Sequence, residues 1–354
     1  MTTLEYPAVE LRTSPHVRSG VTTPIIMRNV VYALIPVAAY AVLLFGLSAF
    51  LLVAGTTAVC VATEYVFCRL SRRPTTVNDW SAVITGMLLG LTLPPGFPLW
   101  MAAIGAFVAI ALGKVLFGGL GYNVFNPALV GRAFLQAAFP AAITTWTPAF
   151  FSGRFTRCIP TTLTLPLMKA APVTDFVREA AVDGFSGATP LALFKFQGVP
   201  TEPLKLFAGM TAGSAGETCS LIILVCGAYL IARKMMDWRI TASVLGTVLV
   251  LSSVFHMVNA EKYPGPLFML FSGGLMLGAV FMATDMVTSP TTPLGVWVFG
   301  AAIGALTVII RLKGGLPEGV MYAILIANGF VPLLDNLTQP RVYGVRKQKR
   351  SPAS

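Results

Sequence analysis

The sequence predicts an all-α integral membrane protein of about ten transmembrane helices, arranged as two inverted five-helix repeats. Three observations predict it. Of the 354 residues, 55% are hydrophobic and only 11% are charged, whereas soluble domains carry about 25% charged residues. The apolar residues fall in continuous runs, of about the 20 residues a helix needs to cross a bilayer, without the alternation of a β-barrel. Two stretches, one in each half of the chain, match each other.

The runs follow in order. The first, 28–46, comes after a polar stretch holding Arg12, Arg18 and Arg28. That stretch lacks the apolar core and small-residue cleavage site of a signal peptide, so the first span itself is expected to direct insertion. The second, 48–67, is closed by Arg69, Arg72 and Arg73. The third, 79–95, ends at Pro94-Pro95, and the fourth, 98–117, carries Lys114 near its end. The fifth, 124–140, and the sixth, 214–232, flank a long insert, and Arg233, Lys234 and Arg239 follow the sixth. The seventh, 240–257, contains His256, and the eighth, 266–286, contains Asp285. The ninth, 294–311, ends at Arg311 and Lys313; the tenth, 317–335, opens with Glu318. Glycine and proline interrupt the third, fifth, eighth and tenth, which a membrane tolerates where the backbone is buried or lines a cavity.

Lysine and arginine in short loops set orientation. With the N-terminus inside, the three groups after the second, fourth and sixth runs, and the tail Arg341, Arg346, Lys347, Lys349 and Arg350, all lie inside. Lys262, Arg311 and Lys313 are left outside. The net charge of +11 is thus a topology signal at an anionic leaflet, and nucleic acid is not an expected partner. The expected organisation is a cytoplasmic segment 1–27, a first membrane repeat 28–140, an external loop 141–213, a second repeat 214–335 and a basic cytoplasmic tail 336–354. Residues 86–134 and 274–330 carry the repeat, with Gly118-Gly119-Leu120 matching Gly314-Gly315-Leu316. Inverted repeats place binding sites near the midplane at broken helices, here Pro94-Pro95 and Ser289-Pro290.

The external loop holds Asp183-Gly-Phe-Ser-Gly-Ala-Thr-Pro-Leu-Ala192. Gly184 and Gly187 loosen the backbone, Ala188 adds little bulk, and Pro190 biases Thr189 toward extended geometry. From the residues alone, two readings stand. One is an accessible threonine hydroxyl suited to covalent modification; the other is a turn that starts a helix with Ser186 as N-cap. Ionisable groups at membrane depth are costly and mark functional candidates. Glu64, Glu217, Asp285 and Glu318 qualify, with Glu217 and Asp285 as candidates for an ion path. Asp79, Arg132 and Asp335 are expected to be interface anchors. His16 and His256 have no partner at ligand spacing, the five cysteines form no metal motif, and no metal site is expected. There is no Walker loop, dinucleotide fingerprint or serine-hydrolase elbow, so NADH is expected to bind elsewhere.

Ser186-Gly187-Ala188-Thr189 resembles the flavinylation motif of the NqrB/RnfD family, membrane subunits of ion-translocating oxidoreductases. The resemblance covers nearly the whole chain. It includes Ser14-Pro15-His16-Val17-Arg18, Gly118 to Arg132, Gly216-Glu217-Thr218, Ala283 to Pro290, and Pro317 to Ala323. Length, basic tail and the lack of a long N-terminal extension lie nearer the RnfD branch. The resemblance implies FMN bound through a phosphoester to Thr189, installed by a flavin transferase, with Ser186 as the lesser hydroxyl. It also implies a non-covalent riboflavin in the bundle, for which Asn123, Asn126, Asp285, Thr288 and Ser289 are the wall candidates. The implied partners are the other subunits of an Rnf-type complex, among them a second covalent-FMN subunit and an NADH-binding subunit. The implied location is the bacterial cytoplasmic membrane, with the FMN loop periplasmic. The competing expectation is a urea-transporter-like channel or secondary transporter.

Overall fold

A computed structural model describes residues 22–340, apart from 73, 148, 152, 167, 169–188, 200, 210, 212, 218, 261 and 316. Among the described residues every regular element is helical, as the continuous apolar runs require. The helices are α1 Thr23–Phe45, α2 Leu47–Leu70, α3 Ser81–Thr92, α4 Leu99–Ile110, α5 Pro127–Ala138 and α6 Pro140–Ile143. Then follow α7 Pro190–Gln197, α8 Pro203–Ala208, α9 Ser220–Ala232, α10 Trp238–Val258, α11 Pro266–Phe271, α12 Leu275–Leu277, α13 Pro293–Lys313 and α14 Val320–Thr338. Wider π turns extend α4 through Ala111–Val115 and α12 through Gly278–Met282.

Five helices, α1, α2, α10, α13 and α14, are long and apolar enough to cross a membrane. The other predicted runs hold shorter pieces. A helix of 12 residues such as α3 rises only about 18 Å, well short of a hydrocarbon core of about 30 Å. The missing length is buried, irregular chain. Residues 93–98 after α3 are all buried. Their backbone is met by the segment before α9: Ala215 N–H donates to Leu93 O (3.0 Å) and Gly216 N–H to Leu91 O (2.7 Å). The sixth run therefore begins as a turn, with helix starting only at Ser220, because its first residues satisfy the broken end of α3.

Close helix contact rests on glycine pairs four residues apart. On α3, a Cβ at Gly86 would lie 2.4 Å from Thr57 Cα, and one at Gly90 2.8 Å from Val53 Cα. On α13, Gly300 and Gly304 play the same part against α10, at 2.6 Å from Ser243 Cβ and 2.8 Å from Val244 O. Thr56 Oγ1 donates to Gly86 O (2.9 Å) and Ser243 Oγ to Trp297 O (2.7 Å), so each glycine contact carries a hydroxyl bond beside it. Replacing Gly86 by Val is expected to cost about 1–3 kcal/mol or more, read as a lowered unfolding midpoint of the detergent-purified chain.

The insert is not a free external loop. Phe150 N–H donates to Leu44 O, Leu47 N–H to Arg154 O, Leu99 N–H to Thr162 O and Ile159 N–H to Ser48 Oγ. Phe151, Ile159 and Thr162 are fully buried. This part of the insert seals the turn from α1 into α2, where Gly46 takes a positive φ of 68° and leaves no room for a Cβ beneath the Arg154 carbonyl.

Candidate functional site

Thr189 sits at the N-cap of α7, with φ −67° and ψ 151°. Its Oγ1 accepts from Ala192 N–H (3.3 Å), and Pro190 occupies the first helical position. The cap of this helix is thus Thr189; Ser186, Gly187 and Ala188 lie outside the described residues. The expectation of an accessible threonine is corrected, because the residue is only 3% exposed. The cause is the docking of α7: Leu191 is buried with Leu206 and Phe268, flanked by Phe194 and Phe271. Lys195 fixes the other end of α7 by donating to Arg311 O (3.2 Å) and Gly314 O (2.5 Å) at the C-terminus of α13. Partial burial lowers the pKa of this ammonium. Lys195→Met is expected to free α7 from α13. Amide exchange across 190–197 should then quicken by about 5–10-fold for the loss of one net hydrogen bond, while the global unfolding midpoint hardly moves.

Beneath Thr189 lies a small cavity that it shares with Leu206, Thr211, Glu217, Phe271, Gly273 and Glu318. Glu217 and Glu318 are bridged by one guanidinium. Arg132 donates through Nη1 to Glu217 Oε1 (2.7 Å) and through Nη2 to Glu318 Oε2 (2.7 Å). Arg132 is therefore not the interface anchor expected from the sequence. It is buried on α5, because two carboxylates of distant sequence converge on it. The same two carboxylates line a second cavity, with Arg132, Gln136, Thr144 and Trp146.

Arg311 is likewise not a loop charge. It is buried and donates to Met269 O (2.6 Å) and Ser272 O (2.9 Å). These are carbonyls freed where the eighth run breaks between α11 and α12. At that break Gly273 takes φ 62°, and a Cβ on Gly274 would lie 2.4 Å from Glu217 Oε1. Several buried polar atoms here have no hydrogen-bond partner among the described residues: Glu217 Oε2, Glu318 Oε1, Ser214 Oγ, Ser272 Oγ and the Nε atoms of Arg132 and Arg311.

A third cavity lies toward the start of α5. It gathers Ser81, Thr85, Lys114, Asn123, Asn126, Thr284 and Asp285 against apolar side chains such as Met27, Leu230 and Phe281. Asn126 caps α5, accepting from Ala128 N–H (3.1 Å), and its Nδ2 donates to Met282 O (3.4 Å). Asn123 Nδ2 donates to Phe125 O (3.3 Å), and its buried Oδ1 has no partner among the described residues. Asp285 accepts from Thr288 Oγ1 (3.2 Å) and Val287 N–H (3.4 Å). The structure thus brings Asn123, Asn126 and Asp285 to one cavity. Thr288 supports Asp285 from behind, and Ser289 is not among the lining residues.

Lys114, counted above as a loop charge, is 1% exposed. It donates to Glu64 Oε1 (2.6 Å) and Ser81 Oγ (2.6 Å), and Thr76 Oγ1 also donates to Glu64. The π turn at Ala111–Val115 turns it inward. Glu217 and Asp285, the candidates for an ion path, line different cavities. Sequence reasoning also missed Asn328, whose amide, in the orientation that satisfies its neighbours, donates to Thr288 O and accepts from Asn126 N–H (3.2 Å each). His256 Nδ1 bonds Tyr263 O (2.9 Å). Among the described residues no group of three metal-ligating side chains forms.

A model of the family described as NQR2, RnfD, RnfE matches residues 10–344. The chain is 39% identical over 348 residues to the D component of the proton-translocating ferredoxin:NAD(+) oxidoreductase complex of Clostridium ljungdahlii, covering 95% of this chain and 96% of that one. It is 41% identical over 341 residues to the D component of the Na(+)-translocating ferredoxin:NAD(+) oxidoreductase complex of Acetobacterium woodii, with 95% and 96% covered. It is 39% identical over 338 residues to the D component of the ion-translocating oxidoreductase complex of Stutzerimonas stutzeri, with 90% and 91% covered.

Proposed function

The chain belongs to the NQR2, RnfD, RnfE family, and from that premise we propose that it is the membrane flavoprotein subunit of an Rnf-type ion-translocating oxidoreductase. FMN is esterified to Thr189. A non-covalent riboflavin occupies the cavity of Asn123, Asn126 and Asp285. Electrons pass from a second covalent-FMN subunit through these two flavins toward the cytoplasmic side, and the complex couples the transfer to ion movement. A separate subunit binds NADH, and a flavin transferase matures this one. The ten-span inverted repeat, cytoplasmic termini and periplasmic insert belong to the same reading.

The observation that carries it is the place of Thr189. Its hydroxyl oxygen stands at the N-terminus of α7, where unpaired N–H groups and the helix dipole favour a phosphate. The oxygen accepts one bond and donates none of those described. An ester oxygen keeps the first role and needs no proton for the second, so a phosphoester fits the site. When bound, the flavin supplies one- and two-electron chemistry; the chain's part is to hold it and set the charge around it. The helix α5 supports the pairing of the two sites: Asn126 at its cap lines the cavity of Asn123 and Asp285, and Arg132, six residues on and about 9 Å along the axis, holds the two carboxylates that line the Thr189 cavity.

The test is the mass of the peptide from Asp183 to Lys195, taken from protein matured with its transferase. The expected mass is the bare peptide plus FMN less one water, with the fragment ions assigning the increment to Thr189. A bare peptide, together with solute flux through liposomes holding the purified chain, would favour the channel reading instead.

A further inference from the structure

We propose that the groove between α1 and α2 binds an anionic phospholipid, with one acyl chain lying along the groove and the phosphate resting on Arg69 and Arg72 at its end. The groove opens on two helices that are long and apolar enough to cross a membrane. Its volume is about 1040 Å³, at the upper end of the about 300–1,000 Å³ of small-molecule sites. Alanines make the space: Ala38 and Ala39 on α1, and Ala54, Ala58 and Ala62, four residues apart on α2 and all exposed. Phe50 and Tyr65 are the first and last residues of α2 to line it. From 50 to 65 the helix rises about 22 Å. Most of that length is apolar, and Thr57, midway, spends its hydroxyl proton on Val53 O (2.7 Å). Polarity enters at the end where Tyr65 and Thr75 line the groove.

That end is cationic. Arg69 donates through Nε to Tyr65 OH (3.1 Å), with its guanidinium carbon 5.6 Å from the Tyr65 ring centroid. Arg72 takes a positive φ of 51° in the turn that closes α2, and both arginines are exposed. Among the described residues no acid pairs with either of them. Glu64 is buried and paired with Lys114, and Asp79 accepts from Ser81 N–H and Oγ. A phosphodiester carries the complementary charge, and basic pockets between spanning helices recognise lipid headgroups in this way. The length of the groove selects the rest of the molecule. At about 22 Å it exceeds half of a hydrocarbon core of about 30 Å, so one acyl chain laid out straight fits along it. A helix of a neighbouring subunit would bury the alanines equally well. The two exposed arginines, placed where a headgroup meets water, favour the lipid. In the topology proposed above this end faces the cytoplasmic leaflet, where anionic lipids gather.

The experiment is photolabelling of the purified complex with phosphatidylglycerol that carries a diazirine in one acyl chain, the labelled peptides being read by mass spectrometry. Label should fall on α1 and α2 between residues 38 and 62. Unlabelled phosphatidylglycerol should compete for it, and phosphatidylcholine with the same acyl chains should compete far less. Each arginine contributes about 5-fold in affinity. Arg69→Gln combined with Arg72→Gln should therefore raise the concentration for half-labelling about 30-fold, while Arg69→Lys combined with Arg72→Lys should stay near wild type. Ala58→Phe fills the groove at an exposed position, so it should lose the label and keep the unfolding midpoint. Equal competition by the two lipids, or labelling unchanged in the glutamine pair or in Ala58→Phe, overturns the proposal. Should the glutamine pair fail to assemble, Ala58→Phe and the competition decide. A photoreactive phenylalanine analogue at Ala58 that links to another subunit in place of lipid also overturns it, and gives the groove to a partner helix.

Discussion

Thr189→Ala is expected to abolish the covalent flavin of this chain: no fluorescent band in a denaturing gel, and electron transfer through the complex reduced to background. The structure separates this effect from simple misfolding. As an N-cap, Thr189 supports only an eight-residue helix, and replacing an N-cap threonine by alanine costs about 1 kcal/mol. The Leu191, Leu206 and Phe268 cluster and the Lys195 contacts remain to hold α7 in place. The variant should therefore accumulate in membranes near the wild-type level while carrying no bound flavin. Thr189→Ser supplies the contrast. Serine keeps both the capping oxygen and a hydroxyl able to form the ester, so fluorescence should return in part. A fluorescent Thr189→Ala chain would move the ester elsewhere, with Ser186 the first position to examine.

The burial of Thr189 bears on how it is modified. With the residue 3% exposed, a transferase cannot reach the hydroxyl while α7 lies against Phe268. The ester must form before α7 docks, or during an opening of that contact. Lys195→Met loosens the dock, so it should speed modification of full-length chain in vitro rather than slow it.

The helical runs were legible in the sequence because apolar continuity is a local property. All ten runs contain helix, and the interruptions at Pro94-Pro95 and Ser289-Pro290 do end or precede helices. The charges were not legible. A lysine or arginine at the end of an apolar run reads the same whether it faces water or turns inward. Lys114 turns inward because Glu64 waits on α2, 50 residues away in sequence. Arg311 does so because the eighth run breaks and exposes carbonyls 42 and 39 residues upstream. Removing both from the topology count leaves the inside excess intact and takes away one of its exceptions. Thr189 shows the same limit from the other side. Its N-cap role follows from Pro190 and local geometry, but its burial depends on Phe268 and Phe271, which no local pattern near Thr189 announces.

Arg132→Met should be the most destabilising single change in the body of the protein. The side chains of Arg132 and Glu217 are 8% and 3% exposed, and that of Glu318 is 17% exposed. Removing one partner of a buried ion pair costs about 3–5 kcal/mol, mostly because the remaining charge is left uncompensated. Here one guanidinium serves two carboxylates, so its loss leaves two anions facing each other across a space that a methionine side chain fills without a donor. Arg311 cannot take over, since its Nη atoms are held by the Met269 and Ser272 carbonyls. The expected result is a large fall in the unfolding midpoint of purified protein, with the ends of α5 and the segment before α9 exchanging amide hydrogens first. The cause can be isolated by relieving the charge. In Arg132→Met combined with Glu217→Met and Glu318→Met, no buried anion remains, and replacing a buried ion triad by hydrophobic residues of similar volume is often neutral for stability. Most of the lost midpoint should therefore return. If the triple variant is as unstable as Arg132→Met alone, the guanidinium acts by packing against α5 and its neighbours rather than by holding the two acids, and the electrostatic account of the cluster fails.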